Sequence, residues 1–421
     1  VFFAIHGPRF DGHDFLHDVA ARGAAAAVVH QEADAPAGLP LLVVSDTTRA
    51  LADFARHVRR RASAPVAVVT GSAGKTTTKE MAAALLQGRG DVLKTEGNLN
   101  NRYGLPLTLL RLRPGHACAV LELGMSAPGE LAELSRVAEP DVAVITNVGP
   151  AHLEFFPSVD AIARAKAEVF EGLRPGGLAV LNGDDARLVR IGKGLGARVV
   201  WFGRDRRHDV SAEHWRGTPF GMRFDLRLGG HVLDVALPLA GPHFVMDFLA
   251  AAAVAHALGV TPEAIASAAT SLRAVRHRGE VRRLEEGVTL IDDCYNSSPD
   301  ALEAALQALA LFGPRRRVAV LGDMLELGPA GEELHREAGE RAAGRAEVVV
   351  AVGSRARELL AGARAAGLEA AALHAFADAE AARAAVELLA PGDAVLVKGS
   401  RGMRLEAVVE AVVARFGEVP G

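Results

Sequence analysis

Apolar residues recur along this chain at two spacings, which read as strands alternating with helices. Continuous runs at Val66 to Val69, Ala117 to Leu121, Val142 to Ile145 and Leu178 to Leu181 have the length of buried strands and lie close to Gly, Pro, Asp or Asn. Between them, near Lys75 to Gln87 and Val159 to Leu173, apolar positions return with helical spacing. That alternation predicts a mostly parallel sheet covered by helices on both faces. It restarts at Val288 to Ile291 and continues through Val318 to Leu321, Val348 to Val352 and Ala394 to Val397, each followed by a Gly-containing turn and a helix. Near the start, Val1 to Ile5, the Gly7-Pro8 and Asp11-Gly12 turns, a helix near Phe15 to Arg22 and Ala26 to Val29 form a smaller α/β unit. Met222, Phe224, Leu226 and Leu228 alternate with polar residues before Gly229-Gly230, the pattern of a structural β-hairpin. The longest apolar stretch, Phe244 to Val260, is broken by Asp247 and His256 and reads as a packed core helix rather than a membrane span.

Two breaks divide the pattern. Arg59-Arg60-Arg61 followed by Pro65 marks a helix end and linker, and charge rises again through Arg273, Arg276, His277 and Arg278. We therefore expect three α/β modules: residues 1–62, a central sheet over 63–276, and a Rossmann-like unit over 277–421, with both linkers as candidate hinges. A chain of 421 residues is long enough for about three domains. It opens at Val1 without Met, so part of the first module is expected to be missing.

Composition narrows the function. At 50% hydrophobic and 23% charged residues the chain is globular, not disordered. A net charge of −4 offers no electrostatic footprint for nucleic acid or an anionic membrane, so anionic ligands must be held locally. Two cysteines, Cys118 and Cys294, cannot build a disulfide framework and, with no signal peptide visible, point to the reducing cytoplasm. Cys294 reads as a packed thiol, not a nucleophile.

The sharpest chemical signal follows the strand at Val66: Gly71-Ser72-Ala73-Gly74-Lys75-Thr76-Thr77 leads directly into a helix. Glycines let backbone N–H groups approach phosphate, the helix N-terminus adds positive dipole, Lys75 adds charge, and Thr76 can ligate Mg²⁺. A strict G-x-x-x-x-G-K-[ST] loop needs Gly where Val69 stands, so this is a shortened variant. Glu122 ends a strand at the ligand edge of the same sheet and can hold Mg²⁺. His152 comes from that edge as well, after the Asn147 to Pro150 turn. Lys166 shares a helical stripe with Val159, Ile162, Ala163, Phe170 and Leu173 and points inward. It either snorkels or loses its proton through desolvation, and a neutral amine can react with CO₂ to give an anionic carbamate.

Together these pieces resemble the Mur ligase family. The matching segments are Asp11 to Phe15; Thr70 to Thr77; Asn98 to Asn101 with Gly104 to Pro106; Glu122 to Gly124; Ala151 to Glu154; Ala165 to Glu168; Tyr295-Asn296 with Pro299-Asp300; Gly322 to Met324 with Glu326 to Gly328; and Lys398 to Arg401. The resemblance implies an ATP-dependent, ADP-forming ligase that joins D-alanyl-D-alanine to UDP-N-acetylmuramoyl tripeptide through an acyl phosphate. That step belongs to peptidoglycan precursor synthesis, hence to cell-wall biogenesis, cell shape and division. It implies a cytoplasmic monomer, with a first module for the UDP end, a central ATPase and a closing third module. In the roles so implied, Thr76 and Glu122 bind one Mg²⁺, and Glu122, His152 and carbamylated Lys166 bind a second. Tyr295 and Asn296 reach the nucleotide, and Asn98, Asn100 and Asn101 line the muramoyl peptide path. Asp323, Ser400 and Arg401 face D-alanyl-D-alanine. Two positions depart from the family pattern: Phe244 and Asp247 stand where it carries asparagines.

Other readings compete. A conventional P-loop ATPase or kinase would use Val288 to Asp293 as the strand presenting its metal acid at Asp292. A sister Mur ligase or a folylpolyglutamate synthase-like ligase would share the loop and the lysine. Phe244 and Asp247 also suit a non-catalytic binding protein that keeps the fold. Finally, His6, Asp11, His13 and Asp14 invite a metal reading, although turn formation and a substrate role account for them.

Overall fold

A computed structural model describes residues 1–31, 34–151, 153–313 and 315–419. Its strands fall into three sheets. The first is a parallel sheet of β1 (Phe2–Phe3), β2 (Ala27–Val29) and β3 (Leu41–Val43), packed on a small core around Ala4, Leu16 and Val29. The second has nine strands: β4 (Val66–Thr70), β5 (Asp91–Lys94), β6 (His116–Glu122), β7 (Val142–Ile145), β8 (Leu178–Asn182), β9 (Arg198–Gly203), β10 (Val210–Thr218), β11 (Gly221–Leu228) and β12 (His231–Leu237). The third contains β13 (Glu280–Arg283), β14 (Thr289–Asp293), β15 (Arg317–Gly322), β16 (Val348–Val352), β17 (Leu373–Phe376) and β18 (Ala394–Lys398).

The central sheet runs β12-β11-β10-β9-β8-β7-β4-β6-β5. It is parallel from β5 through β10 and antiparallel in the β10-β11-β12 meander. Its central strands are apolar on both faces: Val66 and Val68 of β4 join one core and Ala67 and Val69 the other. Strand order reverses about β4, so crevices open at the C-terminal ends of β4, β6 and β7, the place where open α/β sheets bind ligands. The third sheet, ordered β13-β14-β18-β15-β16-β17, is parallel except for β13 and likewise has a core on each face. Helix Phe244 to Val260, expected to be core, spans Pro242–Ala257 and buries Phe244, Val245, Phe248 and its alanines. Among the described residues no helix is long and apolar enough to cross a membrane.

The first linker is braced by side-chain hydrogen bonds. Helix Thr47–Arg61 ends against the central sheet, and the side chain of Arg59, 2% exposed, spans the joint. It donates to the carbonyls of Ala138 (2.9 Å), Ala64 (3.4 Å) and Glu139 (2.9 Å) and to the Asp141 carboxylate (2.7 Å). Asp141 in turn accepts from Val66 N (2.8 Å), the first residue of β4. Buried carbonyls and a half-buried acid, which Arg174 also reaches at 3.2 Å, are tied by one guanidinium into a bolt. Arg59→Ala is expected to lower unfolding stability by about 3 kcal/mol, because the carbonyls of buried Ala138 and Ala64 lose this donor. Arg60→Ala, whose exposed side chain pairs with Glu139, should barely shift the urea midpoint.

Contacts across the second linker include packing of the Pro299–Ala310 helix on the Pro242–Ala257 helix. Glu154 N donates to Glu326 O (3.1 Å), and the turn after β10 carries Phe220 onto Phe312, with ring centroids 6.2 Å apart and edge to face. Arg283 of β13 lies over that Phe220 ring at 4.1 Å. The turn joining β10 to β11, just ahead of the hairpin read as structural, is therefore a prop between the second and third sheets.

Candidate active site

β4 delivers its chain into residues 71–74, and the helix Lys75–Leu86 begins directly after them. A splint fixes the loop: Asn147 Oδ1 accepts from Ala73 N (2.9 Å), Asn147 O accepts from Ser72 N (3.1 Å), and Thr146 Oγ1 donates to Ala73 O (2.6 Å). A Cβ on Gly71 would fall on Thr146 Oγ1, so only glycine allows the splint to approach. Lys75 Nζ folds back to donate to Gly71 O (2.8 Å) and Ser72 O (3.3 Å). Burial holds its amine below the usual lysine range, against the opposing field of Glu122, and the Arg278 charge adds to the depression.

Glu122 arrives by register. Strands β4 and β6 are parallel with Val69 opposite Glu122, which sets the acid beside the start of the loop. Thr76 Oγ1 donates to Glu122 Oε2 at 2.7 Å, and Asn100 Nδ2 to Glu122 Oε1 at 2.9 Å. The acid is 3% exposed and its own N–H donates to Thr95 Oγ1 (2.9 Å). A hydroxyl and a carboxylate this close, beside a phosphate-type loop, make a hard oxygen donor set of the kind Mg²⁺ prefers.

Lys166 lies on the helix Val159–Ala167, which Ser158 caps by accepting from Ala161 N (3.1 Å). The lysine is 2% exposed, lines the same cavity, and has no acidic partner among the described residues. Burial, with repulsion from Lys75, pushes its amine well below the usual range, toward the neutral form. His152 lies outside the described residues.

One cavity of about 920 Å³ gathers residues 71–77, Glu122, Lys166, Asn98, Asn100 and Asn101 on one wall, and Tyr295, Asn296, Ser400 and Arg401 on the other. Two guanidiniums lie over the Tyr295 ring, Arg278 at 4.0 Å and Arg401 at 5.3 Å from its centroid. Lys398 Nζ donates to Asp293 (2.7 Å) and Asn296 O (3.0 Å), bracing that wall. Ser400 Oγ accepts from Leu325 N (2.9 Å). Asp323 is apart from this set: it is not in the cavity lining, and its carboxylate accepts from Ser354 N and Oγ (2.9 and 2.8 Å) and Arg355 N (3.0 Å). That geometry caps the start of the Ala356–Ala365 helix and leaves its acid little freedom for a ligand.

Several features went unread in the sequence. Arg278 lines the cavity, but its charge-dense neighbourhood reads as a boundary. Asn147 and Thr146 lie in what reads as an ordinary turn. Asp292, the acid of the rival P-loop reading, sits on β14 in the third sheet, where His277 Nδ1 (2.8 Å) and Cys294 Sγ (3.2 Å) engage its carboxylate. Cys294 is wholly buried, and burial beside Asp292 and Asp293 drives its thiol above the ordinary range, so it is no nucleophile. In the first module both His13 ring nitrogens are used, Nδ1 with Asp11 (2.6 Å) and Nε2 accepting from His30 N (3.2 Å). The His13 amide and ring hold the Asp11 carboxyl below its usual range. This cluster is a turn clasp, not a metal site.

Comparison with known proteins agrees along the whole chain. Residues 1–59 match the model for the Mur ligase family catalytic domain, 69–255 the Mur ligase middle domain, and 277–401 the Mur ligase glutamate ligase domain. The UDP-N-acetylmuramoyl-tripeptide--D-alanyl-D-alanine ligase of Escherichia coli K12 is 39% identical over 98% of this chain and 90% of its own. MurF from Acinetobacter baumannii superposes with a TM-score of 0.90 at 34% identity, covering 98% of this chain and 90% of that one. The MurF ligase of Thermotoga maritima, solved in complex with ADP, gives 0.86 at 33% identity, covering 97% and 93%.

Proposed function

The chain belongs to the Mur ligase family, and we propose that it is the ATP-dependent, ADP-forming ligase that joins D-alanyl-D-alanine to UDP-N-acetylmuramoyl tripeptide in peptidoglycan precursor synthesis. The observation that carries this reading is the 2.7 Å contact of Thr76 with Glu122 beside the Lys75 loop, in a cavity closed by Tyr295 and Arg401 from the third module. Residues 1–62 hold the UDP end, 63–276 the ATPase and 277–421 the amine-side module. The enzyme works in the cytoplasm, where ATP and nucleotide-linked precursors are available.

The peptide's terminal carboxylate attacks the γ-phosphorus of ATP, ADP leaves, and an acyl phosphate forms. The D-alanyl-D-alanine amine then attacks that carbonyl, and phosphate departs from the tetrahedral intermediate. Residues 71–77 orient the triphosphate by backbone N–H groups, and Lys75 offsets the charge that spreads over the transferring phosphoryl oxygens. Thr76 and Glu122 would supply oxygens to one Mg²⁺, and Glu122, His152 and a carbamylated Lys166 would hold a second. When bound, the metal lowers the charge on the phosphates and polarises the γ-phosphoryl group. Asn100 fixes the Glu122 carboxylate through its 2.9 Å bond and, with Asn98 and Asn101, flanks the peptide path. Tyr295 and Asn296 contact the nucleotide from the opposite wall, and Ser400 and Arg401 face the incoming amine, with Asp323 supporting them. Closure of the third module shields the acyl phosphate from water.

The test is an omission series. With ATP, Mg²⁺, UDP-N-acetylmuramoyl tripeptide and D-alanyl-D-alanine all present, phosphate release and a UDP-linked pentapeptide mass are expected. Leaving out either peptide substrate abolishes the product, and release that does not depend on the tripeptide would sink the reading.

A further inference from the structure

Asp247 is a buried acid that the proposed reaction does not use. It lies on the Pro242–Ala257 helix, is 7% exposed, and lines the cavity. Its carboxyl packs directly on the phosphate loop: a Cβ on Gly74 would fall on Asp247 Oδ1, and Gly74 is held at φ +78°. Thr78 Oγ1, one turn into the loop's helix, donates to the same oxygen at 3.3 Å. No lysine, arginine or histidine forms an ion pair with it among the described residues. An ionised carboxylate here would stand unpaired, in low dielectric, against the loop that receives the most anionic part of the substrate.

We propose that Asp247 supports the phosphate loop as a neutral carboxylic acid, accepting from Thr78 through one oxygen and offering an O–H donor through the other, so that nucleotide binds only while this proton is held. The inference rests on the cavity being the nucleotide site. In this form the side chain has the shape and the donor–acceptor pair of asparagine, the residue the family pattern carries there.

The surrounding charges agree. Burial raises the Asp247 carboxyl to about 8, with Thr78 and then Arg278 pulling the other way. Arg278 is the charged group whose field reaches it. On the facing helix, Lys75 Nζ is turned to Gly71 O and Ser72 O, and Lys79 Nζ to Thr95 O and Glu80. On its own helix, burial lowers His243 to about 3, so that ring stays neutral where Asp247 titrates. From the third module, Lys398 is paired with Asp293. The sign follows directly: a ligand that selects the protonated state must bring in a proton above the free protein's titration point, so affinity falls as pH rises.

The experiment is ADP titration of the whole chain by calorimetry between pH 7 and 9.5. Affinity should weaken about tenfold between pH 7 and 9, as expected for one required proton titrating near the middle of that range. At pH 8.5, binding should take up a proton, read from the difference between buffers of unlike ionisation enthalpy. Asp247→Asn should flatten the profile and abolish the uptake, whereas Asp247→Ala, which offers no donor, should weaken ADP binding across the whole range. A parent profile that is flat, or an alkaline loss that persists unchanged in Asp247→Asn and so belongs to Lys75, overturns the proposal. A parent that takes up no proton at pH 8.5 overturns the proposal even if a variant folds poorly. Failure of the parent to bind ADP at pH 7 would instead overturn the nucleotide reading itself.

Discussion

Lys75→Met is expected to lower kcat on the order of a thousandfold, with little change in thermal stability. Methionine keeps the length and apolar stem of the side chain and removes only the charge. The native ammonium makes two bonds to its own loop, to Gly71 O and Ser72 O, so its loss leaves two carbonyls that the open cavity can hydrate. Its contribution to catalysis is larger because it is differential. Negative charge on the bridging and peripheral oxygens grows as the phosphoryl group moves, and a fixed cation in a half-buried site needs no reorganisation to meet it. Initial rates of phosphate release at saturating substrates, with a melting curve alongside, provide the check. A kcat within threefold of the parent would mean that Lys75 does not face the transferring group.

The second large effect is expected at Lys166. Lys166→Met should reduce kcat on the order of a hundredfold, and the parent should lose activity in CO₂-depleted buffer and regain it with bicarbonate. The lysine is sealed in, repelled by Lys75 and without an acid to pair with among the described residues, so its neutral amine is favoured. A neutral amine attacks CO₂ to form a C–N bond and release one proton, leaving an anion where a cation would be unstable. That anion suits the adjoining Glu122 oxygens as a partner in cation binding. A parent indifferent to CO₂, together with an inactive Lys166→Met, would leave the lysine a packing role and remove the carbamate.

Much of this arrangement was legible in the chain because strong local signals coincide there. The run at Val66 must be a strand, the glycines after it admit only a tight loop, and the helix beyond follows from its capping position and apolar spacing. Lys166 could be aimed inward from a helical stripe alone, and it is buried. Six further strands escaped notice: β3, β5, β9, β10, β13 and β17 are short or carry polar residues, so neither spacing stands out. What sequence could not supply was pairing at a distance. The Asn147 splint, the capping of one helix by Asp323, the His277 clasp on Asp292 and the packing of Asp247 on Gly74 each join segments far apart in the chain. Arg59 is the plainest case. In a run of three arginines it looks like a solvated helix end, yet helical rotation sends that one inward to the Ala138 carbonyl while its neighbour Arg60 stays outside.

That inward arginine has a mechanical consequence. With Arg59 bracing the joint between the first and second sheets, the span from the first sheet to the phosphate loop has the character of a calibrated gauge. A substrate held at both ends of such a gauge is measured for length, and one residue too few or too many leaves its reacting carboxylate out of register with the γ-phosphate.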